Sequence, residues 1–122
     1  MSAPQPRRAA VTGIGVVAPN GTNTEAFWKA TMEGVAVLDR ITRDGCEHLP
    51  LRVAGQIRDF DPPSAIEERY LVQTDRFTHF AMAAADLALD DAGLSRSDTD
   101  ADPFSVGVVT AAGSGGGDHA HG

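Results

Sequence analysis

The chain has one cysteine, no long apolar run and few cations, and each shortage removes a class of function. A lone thiol, Cys46, cannot build a disulfide framework within the chain or a multi-cysteine metal site, so a reducing, cytoplasmic setting is expected. No window approaches the ~18 consecutive apolar residues of a membrane-spanning helix, and no membrane partner is expected. Ten Lys plus Arg stand against seventeen Asp plus Glu, a net charge of -7. That balance repels a phosphate backbone, so nucleic acid is not an expected partner. Leu, Ile, Val and Phe supply only about a fifth of the 122 residues. Alanine and 13 glycines make up the remaining apolar character, which suits close packing against neighbours more than a self-sufficient core. The length fits one domain or a piece of one.

Arg7-Arg8 followed by Ala9 to Ala18 imitates a twin-arginine signal. The β-branched residues Val11, Thr12, Ile14, Val16 and Val17, broken by Gly13 and Gly15, read better as a strand buried on both faces. Pro19-Asn20-Gly21 ends it with turn chemistry. Thr22 and Glu25 fit a capping box for a helix from about Asn23 to Glu33, with Phe27, Ala30 and Thr31 on one face and Gly34 as its stop. Val35 to Pro50 lacks periodicity and reads as an irregular surface excursion. Leu51, Val53, Gly55 and Ile57 alternate with Arg52, Ala54, Gln56 and Arg58, the pattern of a half-buried edge strand or hairpin arm.

After the breaker Asp61-Pro62-Pro63-Ser64 comes a short helical turn through Ile66 to Tyr70. The strongest helix runs from Thr74 to Ala92, with a stripe of Phe77, Phe80, Ala81, Ala84, Leu87, Ala88 and Ala92, and Gly93 as its cap. Ser95 to Pro103, with Asp98, Asp100 and Asp102, reads as a solvated loop; a calcium loop would need a closing glutamate. Phe104 to Ala112 is a second buried-type strand. Two such strands with helices between them predict a layered α/β fold with a right-handed crossover.

Several local patterns imitate catalytic motifs. Gly13-Ile14-Gly15-Val16-Val17-Ala18 matches a dinucleotide fingerprint, but its glycines lie inside the strand and Pro19 separates them from the helix. They are better read as permitting a close crossing by another strand or helix. Ala112-Gly113-Ser114-Gly115-Gly116 resembles a nucleophile elbow without the helix that would position it, and no lysine follows to make a phosphate-binding loop. Asp118, His119 and His121 could clasp a divalent metal, although a solvated terminus explains them more simply. Cys46 and His48 have no second ligand pair. No metal and no cofactor are expected.

Val11-Thr12-Gly13-Ile14-Gly15-Val16-Val17-Ala18-Pro19-Asn20-Gly21, Ala26-Phe27-Trp28, Ala54-Gly55-Gln56-Ile57, Asp59-Phe60-Asp61-Pro62, Gln73-Thr74-Asp75-Arg76 and Asp91-Ala92-Gly93-Leu94 together resemble the N-terminal part of a β-ketoacyl synthase. The similarity runs from about Arg8 to Gly117. Val108-Val109-Thr110-Ala111 and the Gly-rich turn look most like the chain-length-factor subunit of aromatic, type II polyketide synthases, with the ketosynthase subunit the next candidate. The resemblance implies the N-terminal portion of a thiolase-like α/β/α/β/α fold, of which this chain covers under a third. It also implies residues 1–7 as a flexible N-terminus, 8–117 as a partial synthase domain and 118–122 as a flexible tail.

The family performs decarboxylative Claisen condensation of malonyl units carried by an acyl carrier protein, using a cysteine and two histidines. None of those positions falls in this chain. Cys46, His48, His79, His119 and His121 do not align with them. A chain-length factor lacks the cysteine and pairs with a ketosynthase to shape the tunnel in which the polyketide grows. By resemblance Gly117 stands where such subunits carry a bulky gate residue, and Ala120 where another tunnel-facing side chain falls. A truncated or frameshifted subunit is the expectation, inactive alone, with a ketosynthase and an acyl carrier protein as partners. The alternatives are a fragment of a catalytic ketosynthase, of polyketide or fatty-acid type, and a non-catalytic module that docks on a full-length synthase.

Overall fold

The computed structural model describes residues 7–62, 66–94 and 105–115. Helix α1 spans Thr24–Met32. Its N-cap is Asn23, whose side chain accepts from the Ala26 N–H at 2.8 Å, so the cap lies one residue beyond the predicted Thr22 box. Asparagine is as good a cap as any residue, and the shift leaves Glu25 in the first turn, where the helix dipole favours a carboxylate. Gly34, at φ +66°, ends α1 as predicted. Its N–H reaches the Thr31 carbonyl at 3.2 Å and the Val35 N–H reaches the Ala30 carbonyl at 3.0 Å, the paired bonds of a Schellman cap.

The segment expected to be irregular contains a short strand, β1 (Leu38–Arg40), which pairs antiparallel with β2 (Val53–Gly55). Leu38 faces Gly55 and Arg40 faces Val53. The hairpin-arm reading therefore holds for residues 53–55, but not the apolar inner face expected of it, since Leu51 and Val53 are exposed and Ala54 is half-buried; its partner carries too little local pattern to be read. Gln56 closes the ribbon: its Nε2 donates to the Arg40 carbonyl at 3.0 Å and its Oε1 accepts from the Thr42 N–H at 3.1 Å.

Helix α2 (Glu68–Gln73) turns at Thr74 into α3 (Arg76–Asp91), which ends at Gly93 (φ +70°), whose N–H bonds the Asp90 carbonyl while the Leu94 N–H bonds that of Leu89. The predicted stripe of α3 holds in part: Phe80, Ala84, Leu87, Ala88 and Ala92 are half-buried. His79 and Ala83 are its most buried residues, whereas Phe77 and Ala81 are exposed. Phe60 packs against Phe80 in a T-shaped pair with ring centroids 4.8 Å apart.

Residues 13–15 lie against α3. A β-carbon built on Gly13 would stand 2.1 Å from the Ala88 carbonyl oxygen, and one on Gly15 would stand 1.9 Å from that of Ala84. The register follows from geometry: two residues of extended chain advance about 6.6 Å and four residues of helix rise about 6 Å, so successive inward glycines meet successive alanines. The close crossing predicted for these glycines is this seam.

The two runs expected as buried strands differ from that expectation. Residues 9–17 and 106–112 belong to no strand among the described residues, and Val11, Val108 and Val109 are 82%, 87% and 98% exposed. Two β-type segments supply only half of a ladder each unless a neighbouring strand accepts them. The parallel pairing and crossover are therefore absent from the described residues, where the sheet is the antiparallel β1–β2 ribbon. The whole chain exposes 10322 Å², against about 6,300 Å² for a compact protein of this length.

Candidate functional site

Ile14 is where the N-terminal run, α1 and α3 meet. Its N–H donates to Asp91 Oδ2 at 2.9 Å and its carbonyl accepts from the Thr24 hydroxyl at 3.0 Å. Both main-chain groups of a residue in an unpaired extended segment are thus satisfied by side chains, one from the end of α3 and one from the start of α1. The turn that follows is closed by reciprocal bonds between Ala18 and Gly21, at 2.9 and 3.0 Å. Asn20 then donates to Thr31 Oγ1 at 3.1 Å and ties the turn to α1.

A cleft of about 670 Å³ opens between the ribbon and the first turn of α3, with Ile57, Phe77 and Phe80 as apolar wall and Arg43, Arg58 and Arg76 at its edge. Arg76 lies over the Phe80 ring at 5.4 Å and donates to the Ile57 carbonyl at 2.9 Å, so it locks the wall in place. Arg58 pairs with Asp39 at 3.3 Å. The Arg40 N–H, at 2.6 Å, and then the Arg58 guanidinium hold the Asp39 carboxyl below the ordinary aspartate value of 3.8. A depressed carboxylate contributes stability above its unfolded pKa and loses it as pH falls through the folded one. Carbon-detected NMR should place the Asp39 midpoint below 3.8, and Arg58→Ala should move it upward. An ordinary midpoint that Arg58→Ala leaves in place would refute the pairing.

The residues with catalytic potential do not converge. Cys46 is half-buried and lines a cavity of about 100 Å³ with Arg43, Glu47 and Arg52, while His48 is exposed. His79 is nearly buried, with Nε2 3.1 Å from Thr74 Oγ1. The Thr74 hydroxyl donates to the Tyr70 carbonyl, so its oxygen accepts from His79, and the imidazole joins α2 to α3 as a structural group. Sequence reasoning gave His79 no such place, because the bond depends on the bend at Thr74. Ser114 is exposed in a bend. Among the described residues no three His, Cys, Asp or Glu side chains gather to hold a metal. Gly117 and Ala120, like Asp98, Asp100, Asp102, Asp118, His119 and His121, lie outside the described residues.

The described geometry is thus a scaffold: a glycine–alanine seam, a clamped strand end, and a Gly-rich turn in which Gly115 meets the Phe77 ring. Comparison with known proteins bears on what that scaffold serves. The sequence profile of the β-ketoacyl synthase N-terminal domain matches residues 7–121. The chain is 70% identical over 113 residues to a putative polyketide beta-ketoacyl synthase 2 of Streptomyces cyaneus, covering 92% of this chain and 27% of that protein. It is 47% identical to the tetracenomycin polyketide synthase ketoacyl synthase beta subunit of Streptomyces glaucescens, over 95% of this chain and 27% of the relative. Similarity to the 3-oxoacyl-[acyl-carrier-protein] synthase 2 of Coxiella burnetii is 37%, over 90% of this chain and 26% of the relative. The chain spans about a quarter of the length of these curated relatives.

Proposed function

The chain belongs to the β-ketoacyl synthase family, and from that membership we propose that it serves as the N-terminal portion of a chain-length-factor subunit in type II aromatic polyketide synthesis. The observation that carries this reading is the gradient of identity. It stands at 70% and 47% to proteins named as polyketide synthase 2 or β subunit, and at 37% to a 3-oxoacyl synthase. The scaffold supports it. An apolar, glycine-bearing segment laid beside a long helix fits the edge of a layered thiolase-like sheet whose remaining strands would come from the other three quarters of such a subunit. Among the described residues no helix is long and apolar enough to cross a membrane; the cytoplasm is the proposed setting.

In this reading the partners are a ketosynthase subunit, which brings the reactive cysteine, and an acyl carrier protein. The chain does no condensation by itself, since covalent catalysis needs a positioned thiolate and its base. Incubating the purified chain with a carrier-bound acyl group and malonyl units should give no condensed product. Product formed without any other subunit would overturn the proposal.

Gly117 and Ala120 are proposed to face the polyketide tunnel. A hybrid carrying residues 1–117 in place of the matching part of the tetracenomycin β subunit, expressed with its ketosynthase, allows the comparison. Gly117→Phe should shorten the product by filling the wall with a side chain. Indistinguishable products from two folded hybrids would remove Gly117 from the tunnel.

The exposed valines at 11, 108 and 109 favour a second reading, a module that docks on a complete synthase. Size-exclusion chromatography separates the two readings: the module binds an intact ketosynthase–chain-length-factor pair, and the subunit portion does not.

A further inference from the structure

Charge reverses sign at the cleft between the β1–β2 ribbon and the first turn of α3. Ten cationic side chains stand against seventeen acidic ones in the whole chain, yet this cleft is lined by Arg43, Arg58 and Arg76 with Asp75 as its one acid. A concave surface with cations at its rim and apolar walls focuses their field on whatever enters it. The cleft volume of about 670 Å³ falls in the range of small-molecule sites, about 300–1,000 Å³.

Two of the arginines are anchored by bonds that leave donors to spare. Arg76 uses Nη2 on the Ile57 carbonyl at 2.9 Å, and its guanidinium lies over the Phe80 ring. Arg58 uses Nη2 on Asp39 Oδ2 at 3.3 Å and on the Arg40 carbonyl at 3.4 Å. Nε and Nη1 of both guanidiniums have no partner among the described residues. The carbonyl that anchors Arg76 belongs to the peptide entering Arg58, which brings the two cations to one rim. An anchored guanidinium loses little further freedom when an anion arrives. Below them Ile57, Phe77 and Phe80 form the apolar wall, and Phe77 is 45% exposed, so its ring surface is open to a ligand.

We infer that this cleft is a binding site for an aromatic carboxylate, its ring laid on the Phe77 and Ile57 wall and its carboxylate on the spare donors of Arg58 and Arg76. A planar fork of donors matches a carboxylate, and an aromatic wall matches a planar body. A cationic ligand would be repelled at the rim, and a neutral one would leave the guanidinium donors to water. The inference stands on the cleft alone and does not use the role proposed for the subunit.

The probe is 2-naphthoate, titrated into the full chain and followed by amide NMR shifts. At ordinary ligand efficiency a molecule of that size binds with a Kd on the order of 1 mM, and the shifts should saturate at Gly55, Gln56, Ile57 and Phe77. The neutral 2-naphthamide, of nearly the same shape, should bind about tenfold more weakly. Arg58→Gln and Arg76→Gln should each raise the Kd about tenfold, the low end for a hydrogen bond to a charged group at a part-exposed rim. Arg69→Gln, on α2 and outside the cleft, should leave the Kd unchanged. If Arg76→Gln does not fold, Arg58→Gln and 2-naphthamide decide the question. Equal affinity for naphthoate and naphthamide, or a Kd that Arg58→Gln leaves in place, overturns the inference. So do shifts confined to the exposed Val108 and Val109, and so does displacement of naphthoate by an equal concentration of inorganic phosphate, which would make the rim an anion patch indifferent to the ring.

Discussion

Gly15→Val is expected to release the N-terminal run from α3 and to cost the chain most of its folding stability. A β-carbon at position 15 would lie 1.9 Å from the Ala84 carbonyl oxygen and 2.7 Å from the Ala88 nitrogen, both backbone atoms in mid-helix that no rotamer change can move. Overpacking a good core costs about 1–3 kcal/mol where side chains can yield, and here the obstacle is main chain, so about 3 kcal/mol or more is expected. Moving the run away from α3 would also lengthen the Ile14 bonds to Asp91 and Thr24. Position 107 supplies the control, since nothing lies within 4 Å of a β-carbon built there. Urea unfolding monitored by circular dichroism should show a large fall in midpoint for Gly15→Val and little change for Gly107→Ala. Equal midpoints for the two variants would mean that the seam is not a source of stability.

Phe80→Ala is expected to have the next largest effect. Phe80 receives the edge of Phe60 at 4.8 Å and the Arg76 guanidinium at 5.4 Å, and it walls the 670 Å³ cleft, so three elements lose a shared contact at once. Truncating a buried phenylalanine costs about 3–5 kcal/mol; Phe80 is half-buried, and about 2–3 kcal/mol is expected. Phe60→Ala should cost less, and the double variant less than the sum, because the pair shares one interaction. Strict additivity in the denaturation midpoints would show that the two rings do not support each other.

The parts of this architecture that sequence revealed are the parts governed by neighbours along the chain. Gly34 and Gly93 end helices because only a residue tolerant of positive φ closes a Schellman cap without strain, and that requirement is local. The small residues Gly13, Gly15, Ala84 and Ala88 announced a close crossing because their lack of bulk has few other uses. The N-cap was misplaced by one residue, since Thr22 and Asn23 are both good caps and the choice is made by Thr24 turning its hydroxyl to Ile14.

Pairing was less legible. β1 has three exposed residues and no alternation, and it exists because Val53–Gly55 lies beside it. The valines at 106, 108 and 109 read as a buried strand, yet burial requires partner strands and a covering layer, neither of which stands beside them among the described residues. Of the candidate site, the His79–Thr74–Tyr70 link was not legible, because a hydrogen bond through a bend leaves no spacing signal.

The most direct test of the central claim is complementation by the hybrid of residues 1–117 with the tetracenomycin β subunit, expressed with and without the matching ketosynthase. The reading as a chain-length-factor portion predicts a stable heterodimer that makes polyketide, and no product when the ketosynthase is omitted. A well-folded heterodimer that makes no polyketide would contradict it, as would condensation by the hybrid alone.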